Sequence, residues 1–352
     1  MGQDPQDSVR GAVQGLDADS TVLPADEHAT AATAGDVGLV LTRRDGGLTV
    51  VAALDGMPAQ VAGIQSGDRL VTLDGDAVAT LAPDAAVGRL RGRPGTEVKL
   101  TVMRIGWAEP KSFTLTRAKP APTTASNRGL GDGVLYVRMP RLDQAAVADL
   151  TSLLTGKQAE KATGLVLDLR NTVSGQIETA PAIASLFLEP GHVVAHVEGR
   201  TAGLPRDLTT VPAATTWKLP IAVLVSRGTS SAAEVLAGAL QDMRRAVIVG
   251  SPTFGDASTQ STMRLSDGET LALTTARYLT PNNRPITGHG LVPDVMAQAQ
   301  AASTGEQTVA AGAKSPADSE LELAFEVVKA AGIIERGAAG GGSTPVESAA
   351  KQ

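Results

Sequence analysis

Ser231 stands where a strongly apolar run gives way to helical spacing, a position at which a hydroxyl can be made into a nucleophile. Ile221–Val225 (IAVLV) is apolar without alternation, which predicts a buried strand. A turn carrying Gly228 follows, and Ala232, Val235, Leu236, Ala239 and Leu240 then recur at helical spacing. A serine at a helix start beside a glycine turn is served by free amides and the positive end of the helix dipole. The competing reading is structural: Ser231-Ala-Ala-Glu234 is also a capping box, and helix starts far outnumber nucleophiles. Other chemistry-bearing residues give weaker patterns. His192 and His196 are four apart in a valine-rich strand-like stretch with no acidic partner pattern, so no metal site is expected. Gly129-Leu-Gly-Asp-Gly133 invites a phosphate-loop reading, but its glycines precede a strand rather than a helix.

The elements around Ser231 form a recognisable unit. After the helix, residues 246–250 (AVIVG) predict a second buried strand, and residues 251–259 form a Gly/Ser/Thr-rich loop. Strand, helix, strand and loop make a crossover of a parallel sheet. Upstream, residues 133–139 predict a half-buried strand, 143–154 an amphipathic helix, 164–169 (GLVLDL) another buried strand and 177–188 a helix. Residues 269–281 show strand alternation, and 320–334 an amphipathic helix. Residues 36–118 are β-rich: strand-like 37–42 and 48–51 flank the turn signal Asp45-Gly46-Gly47, a helix is expected at 83–91, and strands at 98–103 and 112–116. The Pro/Thr/Ser-rich residues 119–128 predict a linker.

The chain has 352 residues, 42% of them hydrophobic, enough for more than one core, and with only 2% aromatic those cores must be aliphatic. A net charge of −6 argues against nucleic acid or an anionic membrane surface as partner. No run is long enough to span a membrane, and residues 1–11 lack the apolar segment of a signal peptide. With no cysteine, disulfides and thiol catalysis are excluded.

The run Gly228-Thr-Ser-Ser231-Ala-Ala-Glu234, followed by Ala237-Gly-Ala-Leu-Gln-Asp242, Arg245-Ala246, Gly250, Thr253-Phe-Gly255 and Gln260, resembles the signature of the C-terminal processing peptidases. These tail-specific proteases are PDZ-containing serine peptidases with a serine–lysine dyad and a supporting glutamine. The resemblance implies an α/β fold, with a crotonase-like peptidase core and an N-terminal β-rich PDZ domain. It places the nucleophile on Ser231 and the glutamine on Gln260. The lysine's place, 25 positions after the serine, holds Asp256, and the glycine after it is Ala257. The stretch Arg170-Asn-Thr-Val-Ser-Gly175 is similar to the family's oxyanion segment, with Val173 for Pro and Ser174 for the first Gly; the oxyanion donors fall on the amides of Gly175 and Ala232. His289 is tempting as a base, but the matching position in the family is not catalytic.

Residues 58–75, with Pro58-Ala-Gln-Val-Ala-Gly-Ile-Gln-Ser-Gly-Asp-Arg-Leu70 and Leu73-Asp-Gly75, resemble a bacterial PDZ domain. A PDZ domain adds a peptide to a strand edge and holds its terminal carboxylate on loop amides. The resemblance assigns peptide binding to Val37, Gly38, Leu39 and Val40. Asp36 stands where the family commonly has Gly, placing an anion at that loop, with a like-charge cost on the order of 1 kcal/mol. The implied domains are a remnant N-terminal helical arm (1–34), the PDZ domain (35–118), a linker (119–130), the core with a cap segment (131–297), and a linker, short helix and tail (298–352). No cofactor or metal is implied. The implied partners are unfolded or C-terminal peptide segments, with self-association or an active relative as a further partner, in the periplasm or another extracytoplasmic space.

Asp256 changes the expected chemistry. A dyad lysine, its pKa lowered by burial, takes the hydroxyl proton and later returns it. An aspartate, with an ordinary pKa of about 3.9, is a weak base and holds no proton for the leaving amine at neutral pH. Its charge also opposes a developing oxyanion. The expectation is a peptidase fold that binds peptide without cutting it. The alternative is an active serine endopeptidase using Ser231 with an unconventional base.

Overall fold

The computed structural model describes residues 21–23, 35–44, 46–78, 81, 83–120, 124–173, 175–199, 203–265, 270–297 and 318–340. The expected N-terminal arm and the 298–317 linker lie almost wholly outside them. Numbered along the chain, β1 is Thr21–Leu23, β2 Leu39–Arg44, β3 Gly47–Ala53, α1 Pro58–Val61, β4 Arg69–Leu73, β5 Asp76–Ala77, α2 Pro83–Leu90, β6 Glu97–Met103 and β7 Lys111–Thr116. There follow β8 Ser126–Gly131, β9 Val134–Arg138, α3 Gln144–Thr155, β10 Gly164–Asp168, α4 Ala180–Ala184, β11 Val193–Gly199 and β12 Arg206–Thr209. The chain continues with β13 Ile221–Val225, α5 Ala232–Asp242, β14 Val247–Gly250, β15 Ser258–Arg264, β16 Thr270–Leu279, β17 Val295–Met296 and α6 Ser319–Gly340.

The described strands form three sheets. One has the order β2-β3-β4-β6-β7, with β5 on β4, and closes over its own core of Val37, Leu48, Val50, Leu70, Leu73 and Leu100. The second runs β17-β14-β13-β10-β9-β8, with β10 parallel to β9 and β13, and β13 parallel to β14. The third joins β1, β16, β11 and β12, with β15 on β16.

The unalternating runs at 164–168 and 221–225 are explained by burial on both faces. Leu165, Leu167, Ile221, Val223 and Val225 join the main core with α3, α4 and α5, whereas Val166, Ala222 and Leu224 face Leu321, Ala324 and Val328 of α6. The crossover around Ser231 forms as the spacing predicts, with Ala222 paired to Val247.

Two local expectations need correction. The Pro/Thr/Ser-rich segment ends earlier than its composition suggests, because Ser126 already pairs with Arg138 across β8 and β9. Gly129–Gly133 therefore lies in a hairpin, with Asp132 at φ +49° and Gly133 at +77°, and no helix follows it to hold a phosphate. The helix expected over 177–188 is confined to a 3-10 turn, Ile177–Thr179, and α4. Beyond Ala184 the backbone runs on in turns, Phe187 N–H and Leu188 N–H both donating to Ala184 O, and Pro190 has no N–H to extend a helix. Leu186 O accepts instead from Trp217 N–H, and Phe187 O from Arg245.

Candidate active site

Ser231 occupies the turn between β13 and α5 with φ +57° and ψ −126°, a conformation strained for a residue with a side chain. The strain is held by hydrogen bonds on every side. The Ser231 N–H donates to Asp256 O at 2.9 Å and to Glu234 Oε2 at 3.2 Å. Just before it, Ser230 N–H donates to Thr172 O at 3.1 Å, and Thr229 Oγ1 donates to Leu169 O at 2.8 Å. The turn after β13 is thus laced to the turn after β10, which carries the expected oxyanion segment.

Glu234 is the centre of the arrangement. It is fully buried, and its carboxylate accepts from the Thr253 hydroxyl, from Gly255 N–H at 2.7 Å and from Asp256 N–H at 2.9 Å, besides Ser231 N–H. Burial pushes its pKa up to about 7, with the Thr253, Asp256 and Gly255 donors acting in the opposite sense. One carboxylate therefore fixes the loop 253–256 and the amide of Ser231 together. The capping-box spacing pointed to one of these contacts; those to Thr253, Gly255 and Asp256 come from residues 19 to 22 positions away, for which the local pattern carries no signal.

Asp256, half-buried, borders a cavity of about 620 Å³ lined also by Arg43, Arg44, Arg277, Tyr278 and His289. Among the described residues lining it there is no lysine. Arginine stays charged at any working pH and is no proton acceptor. His289 is exposed, with Nδ1 3.1 Å from Thr287 O.

The other expected residues fall as follows. Gly175 has φ +142°, and a Cβ there would meet Leu142 O at 2.1 Å, so only glycine fits. Ser174 lies outside the described residues. Ala232 is buried at the first position of α5, where helix geometry leaves its amide without an intrahelical acceptor. Gln260 is exposed on β15, opposite Thr274. Val37 is buried, Gly38 has φ +80°, and Leu39 and Val40 open β2, which pairs with β3. His196 is engaged by Asp207 at 2.7 Å and by Pro281 O at 3.1 Å, and no group of three metal-ligating side chains stands together among the described residues.

The small β-domain touches both loops of the site. Arg44 donates to the carbonyls of Phe254 and Gly255, each at 3.2 Å, with its guanidinium 4.3 Å from the Phe254 ring centre. Asp55 accepts from Arg138 at 2.8 Å and from Asn171 Nδ2 at 3.0 Å, and Ser66 donates to Arg227 O at 2.7 Å. Nothing in the sequence pattern singles out Arg44 or Asp55.

Residues 133–297 match the model of peptidase family S41, and residues 35–115 that of the PDZ domain. A carboxy-terminal-processing protease of Bartonella bacilliformis is 31% identical over 302 residues, 83% of this chain and 69% of the relative. This chain belongs to peptidase family S41. A carboxyl-terminal-processing protease of Synechocystis is 35% identical over 285 residues, 80% of this chain and 65% of that protein. The S41 chain thus spans about two thirds of the length of these relatives. Among solved structures, a photosystem II D1 C-terminal processing protease superposes with a TM-score of 0.72 at 29% identity, covering 83% of this chain and 81% of that one. The S41 core and its PDZ domain account for the α/β fold expected from the motif resemblance. No described helix is long and apolar enough to cross a membrane.

Proposed function

We propose that this S41 homologue binds unfolded or C-terminal peptide segments and does not cleave them, a pseudopeptidase whose dyad lysine has been replaced by Asp256. One observation carries the reading: Asp256 is joined to Ser231 through its backbone at 2.9 Å, and the cavity beside it offers arginines and a histidine but no lysine. A carboxylate there is too weak a base to take the serine proton and, at neutral pH, holds none for the leaving amine. Its charge also opposes the oxyanion that Gly175 and Ala232 would stabilise. Peptide would be held by strand addition at Val37, Gly38, Leu39 and Val40. Such a binder would act alone, as a homo-oligomer or beside an active relative, in an extracytoplasmic compartment. Digestion of an unfolded substrate by the wild type, beside Ser231→Ala and Asp256→Lys, tests the reading. Serine-dependent cleavage by the wild type rejects it.

A second reading is favoured by the strained Ser231 backbone and by Gly175, which persist although Asp256 has changed. In it the protein is a serine endopeptidase acting on C-terminal tails, with Asp256 or His289 as an unconventional base. Whichever of Asp256→Asn and His289→Ala removes the base would then abolish a serine-dependent cleavage.

A further inference from the structure

The carboxylate-binding end of the PDZ groove already holds a carboxylate, supplied by the chain itself. Asp36 Oδ1 accepts the Gly38 N–H at 2.9 Å, and Asp36 Oδ2 lies 3.4 Å from Arg91 Nε. The contact is built into a fixed turn. Gly35 and Gly92 exchange backbone hydrogen bonds at 2.6 and 3.0 Å, and Asp36 and Ala118 do so at 2.8 and 2.9 Å. Gly38 is seated so closely on Met57 that a Cβ at its position would lie 2.2 Å from Met57 Cβ. The Gly38 amide, one of the loop amides that would hold a terminal carboxylate, is spent on Asp36, and Arg91 is turned toward the same side chain.

Strand addition remains open. Among the described strands β2 pairs with β3 alone, and it forms the edge of its sheet beside α2. We infer that the groove between β2 and α2 selects extended internal segments of a polypeptide and excludes free chain ends, because Asp36 occupies the seat of the terminal carboxylate. This rests on the peptide-binding reading above and narrows its ligand class. An internal segment makes the same main-chain ladder to β2 but brings no charge to the turn. A free end places a second carboxylate within a few ångströms of Asp36 in a partly exposed setting, which costs about tenfold or more in affinity.

The test uses the full chain and three fluorescein-labelled, alanine- and valine-rich peptides sharing one core. One ends in a free carboxylate, one in an amide, and one continues for a further Gly/Ser stretch. Fluorescence anisotropy should show the amidated and continued peptides binding about tenfold more tightly than the free acid. Asp36→Ala should raise free-acid affinity about tenfold and leave the continued peptide within about twofold. Asp36→Asn, which keeps an acceptor for the Gly38 amide, should show the same gain and guards against loss of the turn. A wild type that prefers the free acid overturns the proposal, as does a preference unchanged in both variants. Failure of every peptide to bind every protein instead removes the peptide-binding reading, and this proposal with it.

Discussion

The amide of Ser231 donates to the backbone carbonyl of Asp256 at 2.9 Å, while the amide of Asp256 donates to the carboxylate of Glu234, three residues after the serine, at 2.9 Å. The position of Asp256 relative to Ser231 is therefore set by main chain and by a buried side chain. A substitution at 256 exchanges the chemistry of the site without moving its frame.

Removing the Glu234 carboxylate should be expensive. Glu234→Ala leaves the Thr253 hydroxyl and the amides of Gly255 and Asp256 without their acceptor, a loss of about 3 kcal/mol or more at ~1–3 kcal/mol per buried unsatisfied group. Urea unfolding should show it as a lowered midpoint with an unchanged slope.

Glu234 also predicts a pH dependence. Its folded pKa of about 7 lies above the ordinary value of 4.5, so the folded state holds this proton more tightly than the unfolded chain. The resulting stabilisation is complete below about pH 4.5 and is lost as pH rises through 7, a change on the order of 3 kcal/mol. Wild-type stability should fall across that window relative to Glu234→Gln, which cannot titrate. Parallel curves for the two proteins would contradict the assignment.

Much of the frame could be read from the chain, and the reasons are local. The unbroken apolar runs at 164–168 and 221–225 announce strands covered on both faces, and the spacing from Ala232 to Leu240 announces α5. What stayed hidden depends on distant residues. The partners of Leu186 O and Phe187 O beyond α4, Trp217 and Arg245, lie about 30 to 60 residues away, and β8 exists only through its pairing with β9. At the site, the Ser-to-Glu spacing hinted at Glu234, but its grip on Thr253, Gly255 and Asp256 exists only once the loop after β14 returns beside α5.

Gly175 is a backbone requirement independent of any catalysis. Gly175→Ala must place a Cβ 2.1 Å from Leu142 O at φ +142°, and should cost about 2 kcal/mol or more in stability. Thermal unfolding of the variant beside the wild type measures it; an unchanged midpoint would show that the turn can relax.

Arg44 and Asp55 tie the PDZ domain to the two loops of the site. Arg44→Ala with Asp55→Ala removes the contacts to Phe254, Gly255, Arg138 and Asn171, and should let the domain swing away. Small-angle scattering should register a radius of gyration larger by about 1–2 Å in the double variant, against an expectation near 20 Å for a compact chain of this size. An unchanged radius would place the interdomain hold elsewhere.

The proposal that Asp256 stands where a dyad amine would be is tested most directly by digesting unfolded casein with the wild type, Asp256→Lys, Ser231→Ala and the double variant Ser231→Ala/Asp256→Lys. The wild type should match Ser231→Ala at background, and Asp256→Lys should cleave at least ~10²-fold faster, the scale on which a positioned general base acts, with the gain lost in the double variant. Cleavage by the wild type that disappears in Ser231→Ala would contradict the account.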